Sequence, residues 1–424
     1  MRGGVVLDRW ECGYLREYRG GWLLVYGRRK TGKTWLLRRC IEWSLYATVA
    51  HSGKCVIDDG SSPGIVWVDD CMRRIAGLLK RGGIVVLDEF QRLPLEYWDL
   101  LSTLHWESEG VLVACGSSMS IASRVFNRGS PLLGMFQAFH IDVAAVEDTI
   151  ASLHKAGLGD RESVLWAPLA RDPWILSHIT PGGDPWRVLA GAASTLAPVA
   201  RGLVGEVFAE EERSMTRVYD TVLQLLAEGV WRASDIAHIL YNTGLSTTSS
   251  PGAATGILSV LESIGLVEGV PLWKTRKARV YYRHRSSTTS LLYRLYPLIE
   301  AGLDPGPDTV RSWYGIELQF TLAELLAKHH SLEMAYTILA GGEDVDIVLL
   351  DKGKKPRWGY EVKLGPLTKR DAEKAVKRMR SLGIPRTGLV SAFKRPPQIG
   401  DAALGPGDIV EISLHLSKTR NAQP

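Results

Sequence analysis

One short segment near the start of the chain constrains the fold more than any other. The apolar run Trp22–Tyr26 leads directly into the loop Gly27–Thr34, which reads Gly-Arg-Arg-Lys-Thr-Gly-Lys-Thr. A continuous apolar run is typical of a strand that is buried on both faces of a parallel sheet. After the loop, Leu37, Ile41 and Leu45 recur at helical spacing, which predicts a helix. The segment therefore has the strand, loop and helix order of a phosphate-binding P-loop.

This loop contains the groups that hold nucleotide phosphates in such sites. Its backbone N–H groups and the N-terminus of the following helix would face the phosphates of ATP. Lys33 would neutralise the β and γ oxygens, and the Thr34 hydroxyl would bind Mg²⁺. The predicted nucleotide-binding residues are Gly27, Arg28, Arg29, Lys30, Thr31, Gly32, Lys33 and Thr34.

Two further apolar runs end in polar residues. The first ends in two carboxylates, Asp88 and Glu89, which is the Walker B pattern. Asp88 is predicted to hold Mg²⁺, and Glu89 to polarise the water that attacks the phosphate. The second run, Val111–Gly116, is followed by Ser117 and Ser118. Either serine could sense the γ-phosphate, although a plain turn explains each one nearly as well.

Composition excludes several other classes of protein. The chain has 424 residues, 45% hydrophobic and 23% charged, which is typical of a globular protein with roughly two to four domains. A net charge of +5 does not by itself indicate nucleic acid binding. Five cysteines without a CxxC pair make a disulfide framework or a zinc site unfavourable interpretations and favour a cytoplasmic protein. No uninterrupted apolar run reaches about 18 residues, so no membrane partner is expected.

The motifs together resemble the archaeal ATPase family, which is related to the AAA+ and STAND ATPases. The resemblance rests on GRRKTGKT, VVLDEFQ, ACGSS and SPLLG, and on the N-terminal pair Asp8-Arg9. It implies a P-loop ATPase core over residues 1–142. The later GGDP segment is similar to the GxP motif of the family's helical lid, which implies that Pro185 lies near adenine. An ordinary helix-breaking turn explains GGDP equally well.

One departure from the family concerns an arginine. The family usually has Arg after PLxG, whereas this chain has Met135. An arginine sensor or finger would then come from elsewhere, with Arg124 and Arg128 as candidates. The departure favours slow hydrolysis of ATP.

The middle of the chain changes from a helical pattern to a mixed one. Residues 143–212 are expected to form a helical lid. Residues 213–302 follow the order of a winged helix, a module that the resemblance also implies. The basic and aromatic hairpin Trp273–Arg285 has the composition of a wing that touches phosphates, although a solvated or domain-facing surface is an equally good interpretation. Because Pro251–Gly256 offers no side chain that reads base edges, only non-sequence-specific DNA contact is expected.

The last part of the chain, residues 303–424, begins with the linker Leu303–Asp308 and continues in the order αβββαβ. With its D…ExK pattern, it resembles the PD-(D/E)XK restriction-endonuclease-like fold, which commonly ends members of the archaeal ATPase family. Asp346 and Glu361 are predicted on neighbouring strands, where their carboxylates can converge on one Mg²⁺. Lys363 lies on the same face as Glu361, as phosphodiester hydrolysis would require.

Two features of this region have alternatives. Glu317 on its first helix could complete the metal site, but a solvated helix carboxylate is at least as good an interpretation. The basic helix Thr368–Leu382 could lie along a DNA backbone, although most such charge runs are merely solvated.

The whole sequence predicts an α/β fold: an AAA+-like P-loop NTPase with a helical lid, a winged-helix domain and a C-terminal restriction-endonuclease-like domain. The expected function is an ATP- and Mg²⁺-dependent ATPase, coupled to DNA, that controls a nuclease domain through nucleotide-driven domain rearrangement. The alternative is a STAND-like switch or scaffold whose C-terminal domain binds DNA or protein without cleaving it. A homo-oligomer is compatible with both.

Overall fold

The computed structural model describes residues 5–117, 119–211, 213–275, 279–338 and 344–421. Its N-terminal unit is built on five parallel strands, with two more forming an antiparallel hairpin at one edge. The parallel strands are β1 (Trp22–Tyr26), β2 (Leu45–Val49), β5 (Ile84–Asp88), β6 (Val111–Gly116) and β7 (Phe136–His140), and the hairpin strands are β3 (Lys54–Asp58) and β4 (Gly64–Trp67). The order across the sheet is β4-β3-β2-β5-β6-β1-β7.

Helices cover this sheet on both faces, which explains why its central strands are apolar along their whole length. Leu23, Leu24 and Val25 of β1, for example, are fully buried. The helices are α1 (Trp10–Glu17), α2 (Lys33–Cys40), α3 (Val68–Leu79), α4 (Glu96–Glu107) and α5 (Ser120–Val125). Because β6 lies between β1 and β5, the loops that follow these three strands meet at one edge of the sheet.

The helix after the P-loop is shorter than its apolar spacing predicts. Helix α2 ends at Cys40, Ile41 has extended backbone angles, and Leu45 is already the first residue of β2. The backbone N–H of Ser44 donates to the carbonyl of Ile84, which draws the chain alongside β5. Sheet pairing therefore overrides the helical spacing of Ile41 and Leu45.

The cysteine prediction was wrong in one respect, because the structure contains a disulfide between Cys12 and Cys40, with their Cα atoms 5.2 Å apart. The bond joins α1 to the end of α2. Sequence spacing did not reveal it, because the fold brings together two cysteines that are 28 residues apart. The other three cysteines are buried and free.

Three helices follow the P-loop unit: α6 (Val146–Lys155), α7 (Asp160–Ala170) and α8 (Pro185–Glu210), with a short 3₁₀ turn, Pro173–His178, before α8. Of the described residues, only α8 forms a helix long and apolar enough to cross a membrane. Core helices of globular proteins meet the same criterion, and buried residues of α8 such as Leu189 and Leu196 belong to the largest apolar core.

Residues 213–302 form three helices and a two-stranded antiparallel hairpin, in the predicted order, followed by a fourth helix that was not predicted. The elements are α9 (Arg217–Ala227), α10 (Ala233–Asn242), α11 (Pro251–Ser263), β8 (Val267–Pro271), β9 (Val280–His284) and α12 (Ser287–Glu300). The three central residues of the hairpin loop, 276–278, lie outside the described residues.

The C-terminal unit is a five-stranded mixed sheet between helices. Its elements are α13 (Pro307–His330), β10 (Glu333–Ala335), β11 (Ile347–Leu350), β12 (Pro356–Lys363), α14 (Lys369–Ser381), β13 (Arg386–Ser391), β14 (Ala402–Leu404) and α15 (Pro406–Asn421). The sheet order is β10-β11-β12-β13-β14, antiparallel up to β12 and parallel beyond it.

The linker at residues 303–308 does not separate this unit from the rest. One apolar core contains Trp166 and Leu196 of α7 and α8 together with Leu318 of α13 and Ile347 of β11. The hydroxyl of Tyr314 also donates to the carbonyl of Leu165 at 2.6 Å, across that boundary. Helices α7 and α8, from the region expected to form the lid, and the C-terminal unit are therefore packed as one body.

Candidate functional site

The P-loop connects β1 to α2 and curls around the side chain of Lys33. The backbone of Gly27 has φ of +145°, and a Cβ there would lie 2.0 Å from the carbonyl oxygen of Ile141. Gly32 has φ of +90° and precedes the first residue of α2. The loop therefore requires glycine at both positions. The Lys33 ammonium donates to the carbonyls of Gly27 at 2.6 Å and Arg28 at 2.7 Å.

The other loop side chains point in different directions. Arg28 is buried and pairs with Asp172 at 2.8 Å, so its guanidinium is directed toward the lid. The Thr31 hydroxyl donates to the carbonyl of Arg28 at 2.9 Å, while the carbonyl of Thr31 accepts from Arg9 at 2.6 Å. Arg29 and Lys30 line the cavity beside the loop.

The tips of β5 and β6 bring the predicted Walker B residues to the loop. The Thr34 hydroxyl donates to a carboxylate oxygen of Asp88 at 2.9 Å, and the Tyr46 hydroxyl donates to the same oxygen at 2.6 Å. Glu89 follows directly with φ of +57°, an unfavourable backbone angle for a residue with a Cβ. Strained backbone of this kind is concentrated at functional sites.

Ser117 and Glu89 are linked through a glutamine. The Gln91 amide donates to a Glu89 carboxylate oxygen at 2.7 Å and to the Ser117 hydroxyl at 3.0 Å. Ser117 itself donates to Glu89 at 3.4 Å, and Arg92 lies 3.2 Å from the same carboxylate. The structure thus brings Ser117 next to Glu89, as the sensor interpretation requires, whereas Ser118 lies outside the described residues.

A cavity of about 710 Å³ connects these groups with an apolar end. Its polar end is formed by the P-loop, Asp88, Glu89 and Ser117. The apolar end is formed by Val5, Val6, Leu7, Pro173, Trp174 and Leu176. The described residues that line the cavity do not include Pro185, which is buried at the start of α8. Pro173, Trp174 and Leu176 of the 3₁₀ turn line the cavity instead.

The groups of the polar end fit a nucleotide with Mg²⁺. The Thr34 hydroxyl and the Asp88 carboxylate are hard oxygen donors of the kind that Mg²⁺ prefers, and Glu89 lies beside them for the attacking water. Burial lowers the pKa of Lys33, while negative charges that include Glu210, Asp88 and Glu89 oppose that shift. A buried ammonium next to a glycine-rich loop suits a phosphate group.

Neither Arg124 nor Arg128, the two candidates for the missing family arginine, is among the described residues that line the cavity. Met135 is partly buried against the core of the sheet. Arg124 lies over the ring of Trp98, and Arg128 is exposed. The arginines that line the cavity are instead Arg9, Arg29 and Arg38.

Two arginines of the basic hairpin β8–β9 face other parts of the protein, whereas Lys274 and Arg279 nearer its loop are exposed. Arg283 is buried and pairs with Glu268 at 2.5 Å and Glu317 at 2.6 Å. Arg285 pairs with Asp142, Glu268 and Glu324 at 2.7, 2.8 and 2.9 Å. These two arginines join the P-loop unit, the hairpin and α13, so the structure supports the domain-facing interpretation for both.

The same network corrects the prediction for Glu317. Its carboxylate is buried and accepts from the Arg283 guanidinium, which neutralises it. A metal at Asp346 would have to displace Arg283 before Glu317 could bind it. Helix α13 reaches Asp346 through Gln319, whose amide donates to the Asp346 carbonyl at 2.6 Å.

Asp346 and Glu361 do come together. The β11–β12 register pairs Ile347 with Tyr360, so Asp346 and Glu361, one step further along, lie opposite each other. Burial and the charge of Glu361 raise the pKa of Asp346 to about 6. Lys363 lies 2.7 Å from one Glu361 oxygen, and Arg378 of α14 donates to the other. The site is therefore a carboxylate pair bounded by two cations.

Sequence reasoning missed several of the residues that shape these sites. Tyr46 lies within an apolar strand, and nothing in that pattern indicates its hydrogen bond to Asp88. Arg378 belongs to the basic helix α14, and its ion pair with Glu361 was not predicted. Gln91 follows Glu89 at a spacing that a 3₁₀ turn brings back to the same carboxylate. Among the described residues, no group of three or more His, Cys, Asp and Glu side chains could hold a metal.

Comparisons with known proteins found similarity at the level of structure. No protein-family profile matches the chain, and no curated protein matches its sequence. The chain is similar to the Walker-type ATPase paby2304 of Pyrococcus abyssi, at 16% identity and a TM-score of 0.45, over 68% of this chain and 96% of that one. It is also similar to the ORC2 protein of Aeropyrum pernix, at 13% identity and a TM-score of 0.37, over 72% and 89%. For the ORC1 protein of the same organism, solved with DNA, the values are 17%, 0.31, 71% and 95%.

Proposed function

We propose that the chain is a P-loop ATPase that binds and hydrolyses ATP with Mg²⁺. One observation carries the proposal: Lys33, Thr34, Asp88 and Glu89 surround the polar end of a single cavity of about 710 Å³. That volume is in the range of small-molecule and cofactor sites. Phosphates would take the polar end, and the base would take the apolar end beside Trp174.

The residues of the polar end have separate roles in this proposal. Lys33 and the loop N–H groups hold the phosphates, and Thr34 and Asp88 hold Mg²⁺, which when bound neutralises the charge that develops on the phosphoryl group. Tyr46 fixes the Asp88 carboxylate through its hydrogen bond. Glu89 orients the attacking water and accepts its proton, while Gln91 fixes the orientation of Glu89.

Replacing Glu89 with Gln tests this division of roles. We expect ATP affinity within about twofold of wild type and a turnover that falls about 100-fold, because general-base catalysis contributes roughly that much. The measurements are equilibrium binding of ATP and steady-state release of phosphate. Glu96→Gln, an exposed carboxylate on α4, is the matched control and should leave both unchanged. A Glu89→Gln variant that turns over at the wild-type rate would remove Glu89 from the reaction.

Nucleotide binding would be transmitted through the buried ionic contacts of the lid. Arg28 of the P-loop pairs with Asp172, and Asp172 accepts from Ser286, which caps the N-terminus of α12. Arg285 connects Asp142 of the P-loop unit to Glu324 of α13. These chains of contacts support a nucleotide-driven rearrangement between the P-loop unit and the rest of the molecule.

For the C-terminal half we propose a winged-helix module followed by a restriction-endonuclease-like domain that acts on DNA. Element order supports both assignments, since three helices precede a hairpin and α13 precedes a mixed sheet. Asp346 and Glu361 would hold Mg²⁺, and Lys363 would assist the attacking water. Exposed cations on α14 would contact the DNA backbone without reading sequence. They are Lys369, Arg370, Lys374, Lys377 and Arg380.

The alternative is a switch whose C-terminal domain binds without cleaving. The two cations around Glu361 favour it. Both Glu361 carboxylate oxygens already accept from cations, Lys363 and Arg378. A metal ion at Glu361 would have to displace at least one of them. A site with this balance of charge could bind a phosphate group and leave it intact.

Glu361→Ala separates these two candidates. We expect wild type to nick plasmid or branched DNA with Mg²⁺ or Mn²⁺, and the variant to lose about 100-fold or more of that activity, since it lacks a metal ligand. Glu373→Ala, an exposed α14 carboxylate, is the control. Cleavage is read on gels, with and without ATP, and DNA binding is read at two salt concentrations. If wild type and Glu361→Ala are equally inert yet still bind DNA, the switch is the correct assignment.

A further inference from the structure

The end of the lid helix α8 reaches into the P-loop. Glu206 and Glu210 are one turn apart and therefore lie on the same face of the helix. The Arg29 guanidinium pairs with both of them, through Nε to Glu206 at 2.9 Å and through Nη1 to Glu210 at 2.6 Å. A cation of the phosphate-binding loop is thus held by two carboxylates of the lid.

Glu210 is the more buried of these two carboxylates. Its side chain is 11% exposed, against 50% for Glu206. One of its oxygens, Oε2, is buried and has no hydrogen-bond partner among the described residues. Glu210 also acts electrostatically on Lys33, together with Asp88 and Glu89. A buried, incompletely satisfied anion that pairs with a cation of the loop competes with a phosphate for that cation.

The next residue, Glu211, connects the end of α8 to the segment that follows β6. Its carboxylate accepts from the backbone N–H groups of Met119 and of Ser120, the latter at 2.9 Å. These residues follow Ser117 at the tip of β6 and begin α5. The end of α8 is therefore attached on both sides of the polar end of the cavity.

Arg29 differs from the other two arginines of the cavity in what holds it. Arg9 donates to Glu11 and to the carbonyls of Thr31 and Asp142, all within its own unit. Arg38 pairs with Asp58 and lies over the Tyr46 ring. Arg29 pairs with carboxylates of the lid and is 30% exposed, so it can exchange partners when the lid moves.

We propose that Arg29 and Glu210 together discriminate ATP from ADP. This inference rests on the proposed ATPase function and adds a residue pair that reads the terminal phosphate. The γ-phosphate of ATP takes over the Arg29 guanidinium, because a phosphate offers it a bidentate partner of higher charge. Glu210, now next to a second anion, is repelled. ADP lacks that phosphate and leaves the Arg29–Glu210 pair intact.

Release of Glu210 removes the contact between the end of α8 and the P-loop, and leaves that end held through Glu211. The chain passes from there to α9 within a few residues, so the change reaches the three-helix unit directly. Arg29 thereby takes the role of the arginine that Met135 cannot fill. Glu210 competes with the nucleotide for Arg29, and only the γ-phosphate of a triphosphate displaces it.

The test compares affinities for ADP and for a non-hydrolysable ATP analogue, with Mg²⁺, in four full-length proteins: wild type, Glu210→Gln, Arg29→Ala and the double variant. Glu210→Gln should raise the preference for the ATP analogue over ADP by about tenfold, within the usual range of coupling between sites, with ADP affinity little changed. Arg29→Ala should lower that preference toward one, and Glu210→Gln should have no further effect in its background. Glu300→Gln, exposed at the end of α12, is the control.

Amide hydrogen exchange gives a second readout that does not depend on activity. Exchange at residues 205–211 should rise with the ATP analogue but not with ADP in wild type, and should already be fast in Glu210→Gln. If both nucleotides bind wild type but Glu210→Gln leaves their affinity ratio unchanged, this inference is wrong and the ATPase proposal stands. If neither nucleotide binds wild type, both are wrong.

Discussion

Lys33→Ala should abolish productive binding of ATP. Lys33 is buried at the centre of the P-loop, and its ammonium is the charge that would meet the phosphates. Loss of a charge-assisted contact of this kind costs about 3 kcal/mol, which corresponds to roughly a hundredfold in affinity. Phosphate release should fall to the background of the assay, because the variant loses both the bound substrate and its orientation.

The control for this variant must separate loss of charge from loss of the loop. Lys33 also donates to the carbonyls of Gly27 and Arg28, so its removal could loosen the loop itself. Lys80→Ala removes an exposed lysine that pairs with Glu107 and should behave as wild type in both assays. Thermal unfolding of all three proteins shows whether the fold is retained. A folded Lys33→Ala that binds ATP with wild-type affinity would contradict the phosphate role.

Glu324→Ala should be the most destabilising single change in the ionic network. The Arg171 guanidinium donates to both Glu324 oxygens, at 2.8 and 2.7 Å, and Arg285 donates to one of them at 2.9 Å. Without Glu324, the buried guanidinium of Arg171 and the nearly buried guanidinium of Arg285 each have one carboxylate partner fewer. Breaking a buried ion pair by removing one partner costs about 3 to 5 kcal/mol, so we expect a loss of that size in the free energy of unfolding at pH 7.

The loss should shrink in acid. Burial alone would raise the pKa of Glu324, but Arg171 and Arg285 outweigh it and hold that pKa well below its usual range. The ionised carboxylate therefore stabilises the folded state above the ordinary pKa of 4.5, and that contribution fades as the pH falls below it. Urea unfolding at pH 7 and in acid measures the difference. Glu107→Ala, which breaks an exposed pair, should cost about 0.5 kcal/mol. Equal stability of Glu324→Ala and wild type at pH 7 would show that the network does not hold the units together.

The P-loop and Walker B residues could be predicted because each motif is contiguous. Strand, loop and helix follow one another in sequence, so the position of Lys33 relative to β1 needs no knowledge of the rest of the chain. The proximity of Asp346 and Glu361 could also be predicted, because adjacent antiparallel strands bring their residues together by register alone. In each case the inference needed only local structure and one strand pairing.

Sequence patterns left alternatives open, or were wrong, where a partner comes from a distant part of the chain. Glu317 pairs with Arg283, and Arg285 pairs with Glu324. Both contacts form only when the hairpin packs on α13. The same is true of the Cys12–Cys40 disulfide. Pro185 was assigned by analogy with a motif, whereas the cavity is lined by a turn at Pro173 that has no motif of its own. A basic or acidic residue does not reveal from sequence whether it faces solvent or a buried partner.

The central claim is that ATP occupies the cavity between the P-loop and the turn at Pro173. Photo-crosslinking with 8-azido-ATP, followed by peptide mapping, tests it most directly, because the azido group reports what lies beside the base. If ATP lies there, one saturable label that ATP displaces should appear within Pro173–His178 or the segment Val5–Leu7, with no such label in Lys33→Ala. A displaceable label located beyond residue 303, or one that persists unchanged in Lys33→Ala, would contradict it.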